Sequence, residues 1–178
     1  MVISLIGYRG SGKSSVGAQL AARLNWNFVD ADVELERRAG ESIAQIFANR
    51  GEPYFRHLEA SLLAELLTGD QLVLATGGGA ILNPATRDAL RLAGPVIWLQ
   101  ASAQLLCERI LGDAQTADRR PPLSGEQDPR TEIELLLAQR TPLYTETASL
   151  IVQSEQRTVT AIVDEIVSQL PTAIDRAW

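Results

Sequence analysis

"GYRGSGKSS", Gly7–Ser15, follows the short apolar run Val2–Ile6 and precedes a segment in which Val16, Leu20 and Leu24 recur every fourth residue. Gly7-x-x-x-x-Gly12-Lys13-Ser14 is the phosphate-binding loop pattern, in the strand-loop-helix setting that the pattern requires. Glycines let the backbone wrap closely round an anion with its N–H groups turned inward, and the helix that follows adds its positive N-terminal end. Lys13 is spaced to bridge the outer phosphates. Ser14 offers a hydroxyl to Mg²⁺, an ion that such sites hold through few protein ligands, waters and the phosphates themselves. The stretch therefore predicts binding of the β- and γ-phosphates of ATP or a close relative.

Outward from the loop, further short apolar runs recur: Asn27–Asp30, Leu72–Thr76, Pro95–Leu99 and Ser149–Gln153. With Val2–Ile6 they make five candidate strands. Their apolar runs are continuous rather than alternating, as in strands buried on both faces, which favours a parallel sheet between helices. The segments between them carry helix punctuation. Ser42 and Gln45 read as a capping box opening "SIAQIFANR", closed by Gly51. Pro53, Pro84 and Pro129 sit where first-turn prolines belong, the last two behind the N-caps Asn83 and Asp128. Val159, Ile162, Val163, Ile166, Val167 and Leu170 form one stripe before Pro171. Strand and helix alternate, so the class is α/β. One polar segment, Gly112–Asp128, is longer than most connections in a compact domain and reads either as a functional lid, over about residues 112–125, or as a plain loop.

The chain has 178 residues, 46% of them hydrophobic, enough for one substantial core and the size of a single domain spanning 1–178. A net charge of -6 argues against a general nucleic-acid or anionic-membrane binder. The lone cysteine, Cys107, makes no internal disulfide, and the N-terminal apolar run is too short for a signal peptide, so a cytoplasmic protein is expected. His57 and Cys107 read as surface and packing residues, and Trp26 and Trp98 as core.

A triphosphate site leaves the phosphoryl acceptor open. The second strand ends in "DAD", which on a strand points Asp30 and Asp32 the same way, at the carboxyl end where α/β sheets bind ligands. One carboxylate can orient a water on Mg²⁺ and the other an acceptor hydroxyl, with a solvated helix N-cap as the lesser alternative for Asp32. No acid directly follows the third strand. "TGGGA", Thr76–Ala80, stands there instead, and three glycines allow a ligand close to backbone N–H groups. Arg56 near the start of the Pro53 helix, Arg120 in the candidate lid and Arg140 near the end of the Asp128 helix are each read as surface charges alone, but converging arginine forks suit a small acid bearing hydroxyls.

Taken together, "GYRGSGKSS", "DADVELERRAGESIAQIF", "GEPYFRHLE", "TGGGA", "RPPL" and "QRTPLY" resemble the shikimate kinase family, in its order and at about its spacing. The resemblance implies a phosphate-loop kinase fold, a five-stranded parallel sheet of order 2-3-1-4-5 with helices on both faces and a mobile lid. It implies Mg²⁺-dependent transfer from ATP to the 3-hydroxyl of shikimate, on the route to chorismate and the aromatic amino acids, by a monomer. Asp32, Arg56, Gly78, Gly79 and Arg140 would hold shikimate, with Asp32 as base and Glu59 orienting Arg56. Gly10, Ser11, Gly12, Lys13, Ser14 and Ser15 would hold ATP, with Ser14 and Asp30 on the metal side, Arg120 closing with the lid onto the phosphates, and Arg109 and Arg157 flanking the adenine. The loop ends Lys-Ser-Ser where Lys-Ser-Thr is commoner, and the lid reads "RRPPL" rather than "RPLL". Two alternatives remain: another small-metabolite kinase, such as a gluconate kinase, and a nucleotide-binding module without catalysis.

Overall fold

The computed structural model describes residues 1–112 and 128–170; Arg120, nearly all of the 112–125 segment and Trp178 lie outside them. Strands β1 (Val2–Ile6), β2 (Asn27–Asp30), β3 (Leu72–Ala75), β4 (Val96–Gln100) and β5 (Leu150–Gln153) form a parallel sheet in the order β2-β3-β1-β4-β5. Among the described residues the strands are joined by α1 (Lys13–Leu24), α2 (Ala31–Ala39), α3 (Ile43–Leu66), α4 (Pro84–Ala93), α5 (Ala103–Gly112) and α6 (Pro129–Thr147), and α7 (Val159–Gln169) follows β5. β1 lies at the centre, with Leu5 opposite Ala75 of β3 and Ile97 of β4.

Every residue of β1 is buried. Its alternate side chains serve two cores. Ile3 and Leu5 pack with Val73, Ile97, Leu99 and Val152 against Val16 and Leu20 of α1 and Ile162 and Ile166 of α7. Val2 and Ile6 face the other way, toward Leu63 of α3, Leu90 of α4 and Tyr144 of α6. Helix on both faces is what makes β1, β3 and β4 almost continuously apolar, while the edge strands β2 and β5 are only partly buried. A cavity-forming change such as Leu20→Ala in the first core costs roughly 2–5 kcal/mol.

The helix starts follow their caps. Ser42 Oγ accepts from Gln45 N at 3.2 Å while Gln45 Oε1 accepts from Ser42 N at 2.8 Å, closing the capping box. Asn83 and Asp128 cap α4 and α6 through Ala85 N and Thr131 N. α3 is two helical runs meeting at Gly51, whose φ of 77° and ψ of 169° are not helical. Two expectations are corrected. Asp32 is not on a strand and is not a cap: Asp30 takes that place, its Oδ1 accepting from Asp32 N at 3.0 Å and from Val33 N at 3.4 Å, so the chain turns helical at Ala31. Nor does Arg140 lie near a helix end, because α6 runs on through Pro142 to Thr147.

Trp26 and Trp98 are buried, Cys107 is half-buried against the cluster of Tyr8, Leu106 and Ile110, and His57 is exposed. Among the described residues no helix is long and apolar enough to cross a membrane.

Candidate active site

Three glycines of the loop have φ between 82° and 140°, the range that disfavours side chains. At Gly7 a Cβ would also fall 2.6 Å from the Leu99 carbonyl oxygen, so the loop turns off β1 in contact with β4. Gly12 stands at the N-terminus of α1 and Lys13 opens the helix. Lys13 Nζ donates to the carbonyls of Gly7 and Tyr8, both at 2.9 Å, which holds the ammonium over the loop. Ser11 Oγ is buried inside the loop without a hydrogen-bond partner among the described residues, a donor suited to an anion. Arg109, from α5, reaches across and donates to Gly10 O at 3.0 Å.

Ser14 Oγ donates to Asp30 Oδ2 at 2.5 Å. The end of β2 and the start of α1 thus place two hard oxygen donors at one point beside the loop. A sparse pair of this kind, completed by phosphates and water, fits Mg²⁺. Asp32, half-buried in the first turn of α2, faces the same cleft, which measures about 650 Å³ and is walled also by Ser15, Thr76, Gly78, Arg157 and Ile162.

At the Gly78 end of the cleft lies the second group of residues. Arg140 Nη1 donates to Gly78 O at 3.3 Å, and its guanidinium carbon lies 5.4 Å from the centre of the Tyr8 ring. A Cβ on Gly79 would stand 2.6 Å from both terminal nitrogens of Arg56, so glycine there leaves room for that guanidinium. Arg56 is held from its own helix: Nη1 donates to Glu59 at 2.7 Å, and Nε and Nη2 donate to Glu52 at 3.1 and 3.0 Å. Burial opposes the charge on Arg56 most strongly, but the charge of Glu59 and the bonds to Glu59 and Glu52 outweigh it, raising the guanidinium pKa above its ordinary value. Arg56 is thereby fixed as a cation beside the glycine turn.

The structure brings Gly10, Ser11, Gly12, Lys13, Ser14, Ser15, Asp30, Asp32, Gly78, Arg109 and Arg157 to one cleft, with Arg56, Gly79 and Arg140 gathered where it meets the glycine turn. Arg157 is paired with Glu165 and also donates to Ala161 O at 2.9 Å, so it stays close to α7. Sequence reading missed two residues. Arg9 lines the cleft, and its backbone nitrogen would stand 3.2 Å from a Cβ on Gly78. Tyr144, fully buried, donates its hydroxyl to Gly78 O at 2.7 Å. Its spacing of four from Arg140 puts both on one side of a helix, a signal that was present.

A phosphate loop heading a central parallel strand, with an arginine-flanked glycine turn on the neighbouring strand, defines a small phosphate-loop kinase. A sequence model described as shikimate kinase matches residues 9–171, and the chain is 43% identical over 173 residues to a shikimate kinase of Paramagnetospirillum magneticum, covering 97% of this chain and 86% of that one. The chain belongs to the shikimate kinase family and is an ATP-dependent kinase. The solved shikimate kinase from Acinetobacter baumannii, in complex with shikimate, superposes with a TM-score of 0.86 at 36% identity, covering 94% of this chain and 90% of that one. A gluconokinase from Sinorhizobium meliloti shares the fold alone, with a TM-score of 0.55 at 18% identity over 99% of this chain and 94% of that one.

Proposed function

We propose that this chain moves the γ-phosphoryl group of ATP in line onto the 3-hydroxyl of shikimate, giving shikimate 3-phosphate and ADP. The observation that carries the reading is the approach of Arg56 and Arg140 to one glycine turn beside the phosphate loop. Two guanidinium forks at a buried glycine turn suit a small hydroxylated acid, its carboxylate taken by the arginines and a hydroxyl by the turn. A nucleotide acceptor has no carboxylate to use them. The Acinetobacter baumannii relative, solved with shikimate, supports the same acceptor.

The roles follow from position. Asp32 faces the cleft from the first turn of α2 and accepts the proton of the acceptor hydroxyl as its oxygen bonds to the γ-phosphorus. The bond from that phosphorus to the bridging oxygen breaks, and its electron pair leaves with ADP. Lys13 and the N–H groups of Gly10 to Ser15 hold the phosphates and the charge that builds on them. Ser14 and Asp30 would hold Mg²⁺, which when bound neutralises phosphate charge. Arg109 and Arg157 flank the base, and Arg120, outside the described residues, keeps the phosphate role that the family resemblance gives it. The work is positioning and charge stabilisation, with no phosphoenzyme. A monomer of one domain suffices for it.

The test is ADP release by the purified protein with Mg·ATP, with shikimate, gluconate or a nucleoside monophosphate as acceptor, and with none. ADP release that depends on shikimate is the expected result. Dependence on another acceptor would reassign Asp32, Arg56 and Arg140.

A further inference from the structure

We infer that Tyr144 is a positioning residue of the acceptor subsite, acting through the peptide bond between Gly78 and Gly79; the inference rests on the shikimate reading above. Tyr144 is fully buried, its ring stacks on Trp98 with centroids 5.3 Å apart, and its hydroxyl donates to Gly78 O at 2.7 Å. Arg140, one turn earlier in α6, donates to the same carbonyl oxygen at 3.3 Å. Two donors from one helix thus hold a single acceptor in the glycine turn. Peptide units are planar, and all those in the described residues are trans, so fixing the Gly78 carbonyl fixes the Gly79 N–H in the opposite sense. That N–H belongs to the residue whose missing Cβ makes room for Arg56.

A glycine turn has unusually free backbone, and nothing in its own sequence sets the direction of this peptide plane. The Tyr144 hydroxyl sets it from outside. It also shares the restraint on Gly78 with Arg140, the second proposed carboxylate ligand, and so ties the arginine and the turn to one geometry.

The experiment is Tyr144→Phe beside wild type and Trp98→Phe, with steady-state constants for both substrates and a thermal melt. Tyr144→Phe keeps the ring and leaves Gly78 O its bond from Arg140, so the variant is expected to fold. The shikimate KM is expected to rise about three- to tenfold, the factor one neutral hydrogen bond is worth, with the ATP KM within about twofold. Trp98→Phe disturbs the packing of the same ring but spares the hydroxyl, and is expected to lower the melting temperature with the shikimate KM unchanged. A melting shift in Tyr144→Phe with no change in shikimate KM would overturn the inference, as would an equal KM rise in both variants. Wild type that ignores shikimate altogether would overturn the underlying reading and the inference with it.

Discussion

Asparagine at position 32 keeps the size of the side chain and removes the carboxylate that takes the acceptor proton. Asp32→Asn is expected to lower kcat by about 10²–10⁴, with ATP affinity by calorimetry unchanged. Near-normal turnover would take Asp32 out of the mechanism. At Arg56 the geometry of the fork matters as well as its charge, because three of its nitrogens are shared between Glu59 and Glu52. Arg56→Lys keeps a cation near Glu59, whose side chain is only 5% exposed, but loses the planar fork. The shikimate KM is expected to rise about tenfold or more while the ATP KM changes little. Gly79→Ala tests the same guanidinium from its other side: the new methyl would lie 2.6 Å from the Arg56 nitrogens and push them aside, so it too should raise the shikimate KM and spare ATP. Lys13, Arg56 and Gly79 could be found in the sequence because their chemistry is stated by residue type and local motif. Tyr144 could not be read so directly, because its partner is a backbone carbonyl 66 positions away and no side chain marks the pairing.

At the scale of elements, the kink in α3 has a sharp sequence requirement. Gly51 sits at φ 77° and ψ 169°, a region essentially confined to glycine, so Gly51→Ala is expected to destabilise the protein by about 1–3 kcal/mol, read by urea unfolding. The kink separates the capped run that begins at Ile43 from the run that carries Arg56 and Glu59, and it was visible beforehand as glycine followed by Pro53. The three inner strands were equally visible, because burial on both faces leaves no polar alternation to confuse them, whereas the edge strands β2 and β5 are only partly buried. Boundaries set by a side chain bonding to backbone were less so. Asp30 and Asp32 are alike in type, and only the bonds from Asp32 N and Val33 N to Asp30 show which one caps and which one is left to face the cleft. In α6 the sequence places Arg140 near the helix end, yet the helix continues through Pro142 to Thr147, where Tyr144 and Leu143 pack into the second core. Tertiary burial there overrides local propensity.

For the molecule as a whole, acid stability carries the mark of the α2–α3 ion-pair network. Arg37 and Arg38 hydrogen-bond to Glu34 and hold its pKa at about 2, against the ordinary 4.5. Arg38 also reaches Glu65 on α3 at 2.7 Å. Since the folded pKa is the lower one, the contribution is present in full above about pH 4.5 and is lost as the pH falls toward 2. Glu34→Gln removes it, so urea midpoints of wild type and variant should differ at pH 6 and converge as the pH falls through that window. A difference that does not depend on pH would contradict this. The sheet order has a consequence of another kind. The strand made first during translation is the middle strand of the finished sheet, and its neighbours end at Ala75 and Gln100. At about 5–20 residues per second, β1 therefore waits roughly 5–20 s until it has a partner on both edges. Until β3 is made the nascent chain holds a complete phosphate-loop sequence but no neighbouring strand, and until β4 is made the loop lacks the Leu99 carbonyl against which Gly7 turns.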